Sequence, residues 1–141
     1  MSTTVSAGYL LDTNIISHMM RDTTGIAFQN FAAATRLDTS QSVMTSIVVL
    51  CELQFGLHRK PNARLEAALQ RILRGIEVLP LDTTVAPHYA ALRTTLERQG
   101  TPVGPNDTLI AAHALALGAT LVSGDAEFAR IPGLQVENWL R

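Results

Sequence analysis

Hydrophobic positions along the chain fall into two kinds of segment, and the two kinds alternate. Short, continuous apolar runs are typical of buried strands, and they lie at 9–11, 42–45, 76–79, 120–123 and 134–138. Longer segments have apolar residues every three or four positions and predict helices; they lie at 15–20, 25–37, 47–58, 63–74, 84–99 and 107–117, with a short helical turn at 126–130.

Capping residues agree with these boundaries. Ser46, Asn62 and Asn106 each stand directly before a predicted helix, where a side-chain oxygen can accept a bond from a free backbone N–H. Gly100 and Gly118 each follow a predicted helix, where glycine allows the chain to turn away. The pattern thus predicts strands that alternate with helices.

Such alternation predicts an α/β fold in which helices cover a parallel sheet on both faces. No repeat, linker or biased segment interrupts it, so we expect residues 1–141 to form one domain. In these folds a ligand lies beyond the carboxyl ends of the strands, near the point where the strand order reverses. Asp12 follows the first predicted strand and Asp125 follows the fourth.

Composition narrows the class of protein. The chain has 141 residues, of which 47% are hydrophobic and 16% charged, which excludes a disordered or coiled-coil protein. A formal charge of −1 gives no overall basic field, and Cys51 as the only cysteine excludes a disulfide framework. The first eight residues lack the features of a secretory signal, and the nearly apolar run 109–122 is too short to span a membrane. We expect a cytoplasmic protein with no membrane partner.

Four of the twelve acidic residues adjoin the most apolar segments of the chain; they are Asp12, Glu52, Asp107 and Asp125. A carboxylate in an apolar site must be paired, protonated or bound to a metal. Lys60 is the only lysine, and the apolar segments contain no arginine. A divalent cation can supply the missing positive charge, and oxygen ligands favour Mg²⁺ or Mn²⁺.

Three of these four acids also have a simpler structural interpretation. Asp12 could cap the following helix, Asp107 could be a first-turn acid that favours the helix dipole, and Asp125 could be a turn residue. Glu52 is the only charge in the segment 47–57 and lies in the middle of a predicted helix, where neither capping nor a turn explains it.

At these residues the sequence resembles the PIN-domain proteins, specifically the VapC-type toxin ribonucleases of type II toxin–antitoxin pairs. The matching motifs are LLDTNIIS at 10–17, TSIV at 45–48, Glu52-Leu53 with Gly56, VGPNDTLIAAHA at 103–114, Leu121-Val122 with Asp125, Glu127-Phe128, IPGL at 131–134 and ENW at 137–139. They cover nearly the whole chain in the order of the family.

The resemblance implies a three-layer PIN-like fold with a central five-stranded parallel sheet in the order 3-2-1-4-5. It also implies that Asp12, Glu52, Asp107 and Asp125 form an acidic quartet that binds Mg²⁺ or Mn²⁺ and performs catalysis, with Glu127 as a possible substitute for Asp125. Thr13, Asn14 and Thr108 are then candidate polar neighbours that orient the carboxylates.

The implied function is that of a metal-dependent endoribonuclease toxin. It would hydrolyse phosphodiester bonds in transfer RNA or another structured cellular RNA, and leave 5′-phosphate and 3′-hydroxyl ends. A cognate antitoxin would inhibit it, and the chain would form a homodimer or a complex with that antitoxin.

Cations are concentrated in one stretch of the chain. Without the quartet, eight acids face eleven cations. Five of these cations lie close together along the chain, at Arg59, Lys60, Arg64, Arg71 and Arg74, with Glu66 as the only acid among them. They are candidates for binding RNA phosphates, although a solvated helix face would look the same. Aromatic residues are too few to predict a base-stacking platform.

Two other functions are compatible with part of this pattern. A haloacid-dehalogenase-like phosphohydrolase also has a strand that ends in aspartate, but it needs a second acid where this chain has Asn14, and an active-site lysine for which Lys60 is poorly placed. A non-catalytic interaction module could use the acidic pocket to receive an arginine from a partner. Metal-dependent turnover distinguishes these interpretations.

Overall fold

The computed structural model describes residues 8–37 and 42–141. Its five strands are β1 (Gly8–Leu11), β2 (Ser42–Ser46), β3 (Glu77–Leu79), β4 (Thr120–Val122) and β5 (Val136–Glu137). Its helices are α1 (Thr13–Arg21), α2 (Ile26–Leu37), α3 (Ile47–Arg59), α4 (Ala63–Leu73), α5 (Val85–Arg98) and α6 (Pro105–Leu117), with a 3₁₀ turn at Ala126–Arg130.

All strand pairs are parallel, and the sheet order is β3-β2-β1-β4-β5. The prediction of a parallel 3-2-1-4-5 sheet is therefore confirmed. The chain runs outward from β1 in both directions, so the order reverses between β1 and β4. Leu11 of β1 is in register with Val122 of β4 and with Thr45 of β2, which brings the residues that follow these three strands to one edge.

The sheet is buried between helices that contribute apolar side chains to a continuous core. Helix α1 packs against α2, α3 and α4, whereas α5 packs against α6, and α3 also contacts α6. Leu10, Leu11, Leu121 and Val122 of the central strands are fully buried. Because these strands are buried on both faces, they are apolar without alternation.

Most predicted boundaries differ from the structure by one or two residues, and two of these differences have a clear physical reason. Helix α6 begins at Pro105 after Gly104, and not after an Asn106 cap, because proline at the first helical position already has the required φ. Strand β5 covers only Val136–Glu137 of the predicted 134–138, because it is an edge strand that pairs with β4 alone. No helix in the described part of the chain is long and apolar enough to cross a membrane.

Candidate metal centre

Asp12 lies at the edge where the sheet order reverses, directly after β1. Its backbone N–H donates to the carbonyl of Val122, which fixes the carboxylate beside the end of β4. The side chain is only 4% exposed. It precedes helix α1 but makes no side-chain capping bond, so the interpretation of Asp12 as a simple cap is wrong.

The two carboxylate oxygens of Asp12 are unequal. Oδ2 accepts a 2.8 Å hydrogen bond from the Ser123 hydroxyl, whereas the buried Oδ1 has no hydrogen-bond partner among the residues that the structure describes. Burial raises the pKa of Asp12, hydrogen bonds from the Ser123 hydroxyl and the Thr13 backbone lower it, and the negative charges of Glu52 and Asp125 raise it further. A buried, unpaired carboxylate oxygen is costly unless a cation or a proton compensates it.

The Ser123 hydroxyl organises the end of β4, because it acts once as a donor and twice as an acceptor. Besides donating to Asp12, Oγ accepts from the Asp125 backbone N–H at 3.0 Å and lies 3.5 Å from Nδ2 of Asn14. Asn14 in turn accepts from the Gly124 backbone N–H at 3.2 Å. Asn14 therefore positions the loop after β4, and through Ser123 it supports the predicted acids on both strands.

Glu52 reaches the same edge from the middle of helix α3. Its half-buried carboxylate accepts a 2.7 Å hydrogen bond from the Thr13 hydroxyl, which lies one residue beyond Asp12. Helix α3 begins directly after β2, where Ser46 accepts a capping bond from the Val48 N–H. Thr13 thus holds a carboxylate that comes from another element.

Asp107 enters the site from the first turn of helix α6. Partial burial raises the pKa of its carboxyl to about 6, and the charges of Asp12, Glu52, Asp125 and Glu127 contribute to the increase. The charges of the other three acids of the predicted quartet, and of the predicted substitute Glu127, therefore all act on Asp107. Repulsion between these groups would be relieved by a bound cation.

Both candidates for the fourth acid lie at the site. Carboxylate oxygens of Asp107, Asp125 and Glu127 all lie within 4.8 Å of one another. Asp125 caps the 3₁₀ turn, because its Oδ1 accepts from the Glu127 N–H at 2.9 Å. Asp12 and Glu52 are outside this group of three, although their charges act on Asp107.

Positive charge in the described part of the chain does not neutralise the quartet. The ion pairs there are Arg93 with Glu97 and Arg130 with Glu127 at 3.7 Å, and both are exposed. Lys60, the capping residue after α3, is also exposed and makes no ion pair with these acids. A phosphohydrolase mechanism that needs a lysine beside Asp12 therefore finds no support among the described residues.

Thr108 and the basic stretch are placed differently from the acids. The Thr108 hydroxyl donates to the carbonyls of Val103 and Gly104, so it holds the loop before α6 and is not directed to a carboxylate. The five predicted cations are all exposed. Arg59 and Lys60 lie at the end of α3, whereas Arg64, Arg71 and Arg74 lie on or directly after α4.

Two contributors to the site were not predicted from the sequence. Ser123 directly follows β4 as Asp12 follows β1, which is the signal that could have indicated it. His113 is buried on α6, and its Nδ1 lies 2.8 Å from the Ser46 hydroxyl at the start of α3. Burial lowers the pKa of His113, so its neutral form links the two helices that carry Asp107 and Glu52.

Comparison with known proteins fits this geometry. The family model described as PIN domain matches residues 9–134. The chain belongs to the PIN-domain family. Within that family it is of the VapC type: ribonuclease VapC2 of Rickettsia felis is 36% identical over 133 residues, which cover 93% of this chain and 97% of the relative. The tRNA(fMet)-specific endonuclease VapC of Salmonella typhimurium is 35% identical over 134 residues, with the same coverage.

Solved structures give the same assignment for this PIN domain. VapBC2 from Rickettsia felis, bound to a DNA fragment from its promoter, has a TM-score of 0.85 at 34% identity over 93% of this chain and 98% of the solved one. VapBC-1 from nontypeable Haemophilus influenzae has a TM-score of 0.82 at 32% identity, over 94% and 98% of the respective chains.

Proposed function

We propose that this PIN domain is a metal-dependent endoribonuclease toxin with Mg²⁺ or Mn²⁺ as its cofactor. The observation that carries the proposal is the convergence of acids from α3, α6 and the segments after β1 and β4 on the edge where the sheet order reverses, with no cation of the described residues to neutralise the quartet. The ribonuclease and endonuclease names of the VapC relatives support RNA as the substrate.

The donor set fits a hard divalent cation. The buried Oδ1 of Asp12 has no partner in the described chain, and the oxygens of Asp107, Asp125 and Glu127 lie within 4.8 Å of one another. All of these are carboxylate oxygens, the ligands that Mg²⁺ and Mn²⁺ prefer. We assign Asp12, Asp107 and Asp125 as ligands, with Glu52 held by Thr13 as a further ligand or water-binding group, and Glu127 as an outer acid shared with Arg130.

A bound dication would lower the pKa of a coordinated water and stabilise the charge that develops on the phosphate. The residues of the chain then have distinct parts in the reaction. Ser123 and Asn14 fix the orientation of Asp12, and Thr13 fixes that of Glu52. The pKa of Asp107 is raised to about 6, so its carboxyl is largely ionised at neutral pH, and a bound cation would favour this charged form further.

The partners follow from the relatives. The VapBC complexes among the solved structures support a cognate antitoxin that inhibits this chain, and the tRNA(fMet)-specific name supports transfer RNA as a substrate to test first. A homodimer, or a larger complex with the antitoxin, is part of the same proposal. We place the activity in the cytoplasm, where transfer RNA is found.

The test is cleavage of purified transfer RNA by the full chain with Mg²⁺, Mn²⁺ or EDTA. Wild-type protein should cleave in either metal and not in EDTA. Asp12→Asn and Glu52→Gln should each lower the rate by at least about 100-fold, because a ligand or its charge is lost. Glu77→Gln, which changes an exposed acid on β3, is the matched control and should retain the full rate.

Cleavage that persists in EDTA, or in both site variants, would reject the metal-dependent nuclease. Binding of an arginine-containing antitoxin peptide without any metal-dependent turnover would instead favour the non-catalytic interaction module. End-group analysis of the products provides a second check, since the proposal requires 5′-phosphate and 3′-hydroxyl ends.

A further inference from the structure

Helix α3 leaves an aromatic side chain uncovered next to the acidic site. Phe55 is 64% exposed, more than any other large hydrophobic residue in the described part of the chain. It follows Glu52 by three positions, and residues three apart on a helix are surface neighbours. Phe55 is therefore a surface neighbour of the residue whose carboxylate reaches the candidate metal centre.

A positive charge is already placed on this ring. The guanidinium carbon of Arg59 lies 5.4 Å from the centroid of Phe55, a cation–π contact. Glu52, Phe55 and Arg59 stand at positions i, i+3 and i+7, which form one stripe along a helix. Arg59 makes no ion pair with the described residues, and Glu52 is the only acid on α3.

Gly56 lies between these side chains, and nothing in the fold explains it. A Cβ built at this position would meet no atom within 4 Å. Glycine inside an exposed helix is less stable than alanine by roughly 0.5–1 kcal/mol. Bare helix backbone in open space beside an aromatic ring is suited to the close approach of another molecule.

We propose that Phe55, Gly56 and Arg59, which we call the α3 platform, bind one unpaired base of the RNA next to the cleaved phosphodiester. The base stacks on the phenyl ring, the missing side chain of Gly56 makes room for its edge, and Arg59 contacts the adjoining phosphate. This proposal rests on the ribonuclease function proposed above, and it makes an unpaired nucleotide at the cleavage site a requirement of the substrate.

Charge favours RNA over a basic protein as the occupant. Arg59, Lys60 and the exposed Arg64 follow one another along the path from α3 into α4, and they would repel a basic partner and attract phosphates. Stacking on an aromatic ring accepts any base, because every base has a π-face. The base must be unpaired, because inside a helix its two faces are already stacked.

The first experiment maps the wild-type cleavage site on purified transfer RNA, and then transfers it to a synthetic stem-loop. Stem-loops with one abasic nucleotide on either side of the cut are compared with the intact one. Phe55→Leu, which retains apolar bulk but loses the ring, should raise KM by about 5- to 100-fold, the range measured for base–aromatic stacking, with little change in kcat. Phe55→Trp should retain the wild-type KM.

The abasic substrates distinguish stacking from a general structural effect. At one position the abasic RNA should be a poor substrate for wild-type protein and equally poor for Phe55→Leu, because the contact is already absent. Leu81→Ala, at an exposed apolar residue before α5, is the matched control and should behave like wild type on every substrate.

Gly56→Ala provides an independent test, because thermal stability should increase while RNA binding weakens. Because alanine favours a helix and meets no atom of the fold, the variant should unfold about 2–5 °C higher than wild type. Its KM for the intact stem-loop should nevertheless rise by at least about fivefold, because the methyl group occupies the space of the base. A purely structural role of Gly56 would not weaken RNA binding in a more stable protein.

Three results would overturn the α3 platform. They are an unchanged KM in Phe55→Leu, a Phe55→Leu defect of the same size on every abasic substrate, or a loss of dimer in Phe55→Leu. Sedimentation of wild type and Phe55→Leu measures the last of these, which would show that Phe55 contacts a second copy of the chain. If instead the proposed ribonuclease function is wrong, wild-type protein should cleave no RNA at all, which distinguishes that result from a failure of the α3 platform alone.

Discussion

Ser123 donates a 2.8 Å hydrogen bond to Oδ2 of Asp12 across 111 positions of sequence. The two residues directly follow the neighbouring strands β4 and β1, whose last residues are in register. This bond leaves Oδ1 as the oxygen of Asp12 that is free for a cation. Ser123 therefore decides how the most buried carboxylate of the site is presented.

Ser123→Ala should weaken Mn²⁺ binding by about tenfold or more, which is typical when a partner that orients a ligand is lost. Isothermal titration calorimetry measures this directly on the full chain. Ser123→Thr retains the hydroxyl and should stay within about threefold of wild type. Equal Mn²⁺ affinity in the alanine variant would show that Asp12 needs no such orientation.

Thr13→Val should lower the rate of RNA cleavage by about tenfold, because Glu52 loses the 2.7 Å bond that holds it. Valine is nearly the same size, so the free energy of unfolding in urea should change by less than about 1 kcal/mol. Thr13→Ser keeps the donor and is the control. A rate loss of the same size in both variants would assign the effect to packing.

Asp107→Asn should stabilise the metal-free protein while it abolishes activity. The pKa of Asp107 is raised to about 6, so its charge is unfavourable in the fold; the destabilisation develops as pH rises from about 4 to 6 and is complete above that range. Because the carboxyl is only partly buried, we expect a gain of about 1 kcal/mol at pH 8, or about 2–5 °C in Tm.

Thermal unfolding of Asp107→Asn and wild type at pH 4 and at pH 8, with EDTA and with Mn²⁺, measures this difference. The two proteins should unfold together at pH 4 and separate at pH 8, and Mn²⁺ should stabilise the wild type by more than the variant. A variant that is less stable than wild type at pH 8 in EDTA would contradict the repulsion described for the site.

Ser46→Ala should destabilise the protein by about 2 kcal/mol, because it removes the capping bond to Val48 and leaves buried His113 without its partner. In a double-mutant cycle with His113→Leu, urea unfolding should show a coupling energy of about 1 kcal/mol. Additive effects would mean that the two side chains act separately.

The same histidine has a pH dependence opposite to that of Asp107. Its pKa is lowered by burial, so the unfolded chain binds its proton more strongly, and stability is lost as pH falls below about 6.5. His113→Leu should remove part of this loss between pH 7 and pH 5, as measured by urea unfolding. Identical pH curves for wild type and variant would exclude His113 as its source.

The sequence could predict the fold and the acids because both leave local signals. Apolar runs mark the strands, and Glu52 is conspicuous as a charge within one of the most apolar segments. The approximate position of the acidic site follows from the rule that the carboxyl ends of parallel strands share an edge. The same rule could have indicated Ser123, whose hydroxyl is useful only because β4 is in register with β1.

Other features depend on geometry that no local pattern contains. The 3₁₀ turn after Asp125 brings a carboxylate oxygen of Glu127 within 4.8 Å of those of Asp107 and Asp125, so both candidates for the fourth acid lie close together. Thr108 looks like a neighbour of the acids in sequence, but its hydroxyl returns to the preceding loop. The exposure of Phe55 could not be read from a segment that is otherwise apolar.

The residues that hold the candidate centre come from both extremes of the described chain, from Asp12 to Asp125 and Glu127. Until β4 and the turn after it have been synthesised, the nascent polypeptide lacks Asp125 and Glu127 and therefore has no complete set of carboxylates. We therefore expect no cleavage of RNA before β4 and the turn after it have been synthesised and folded.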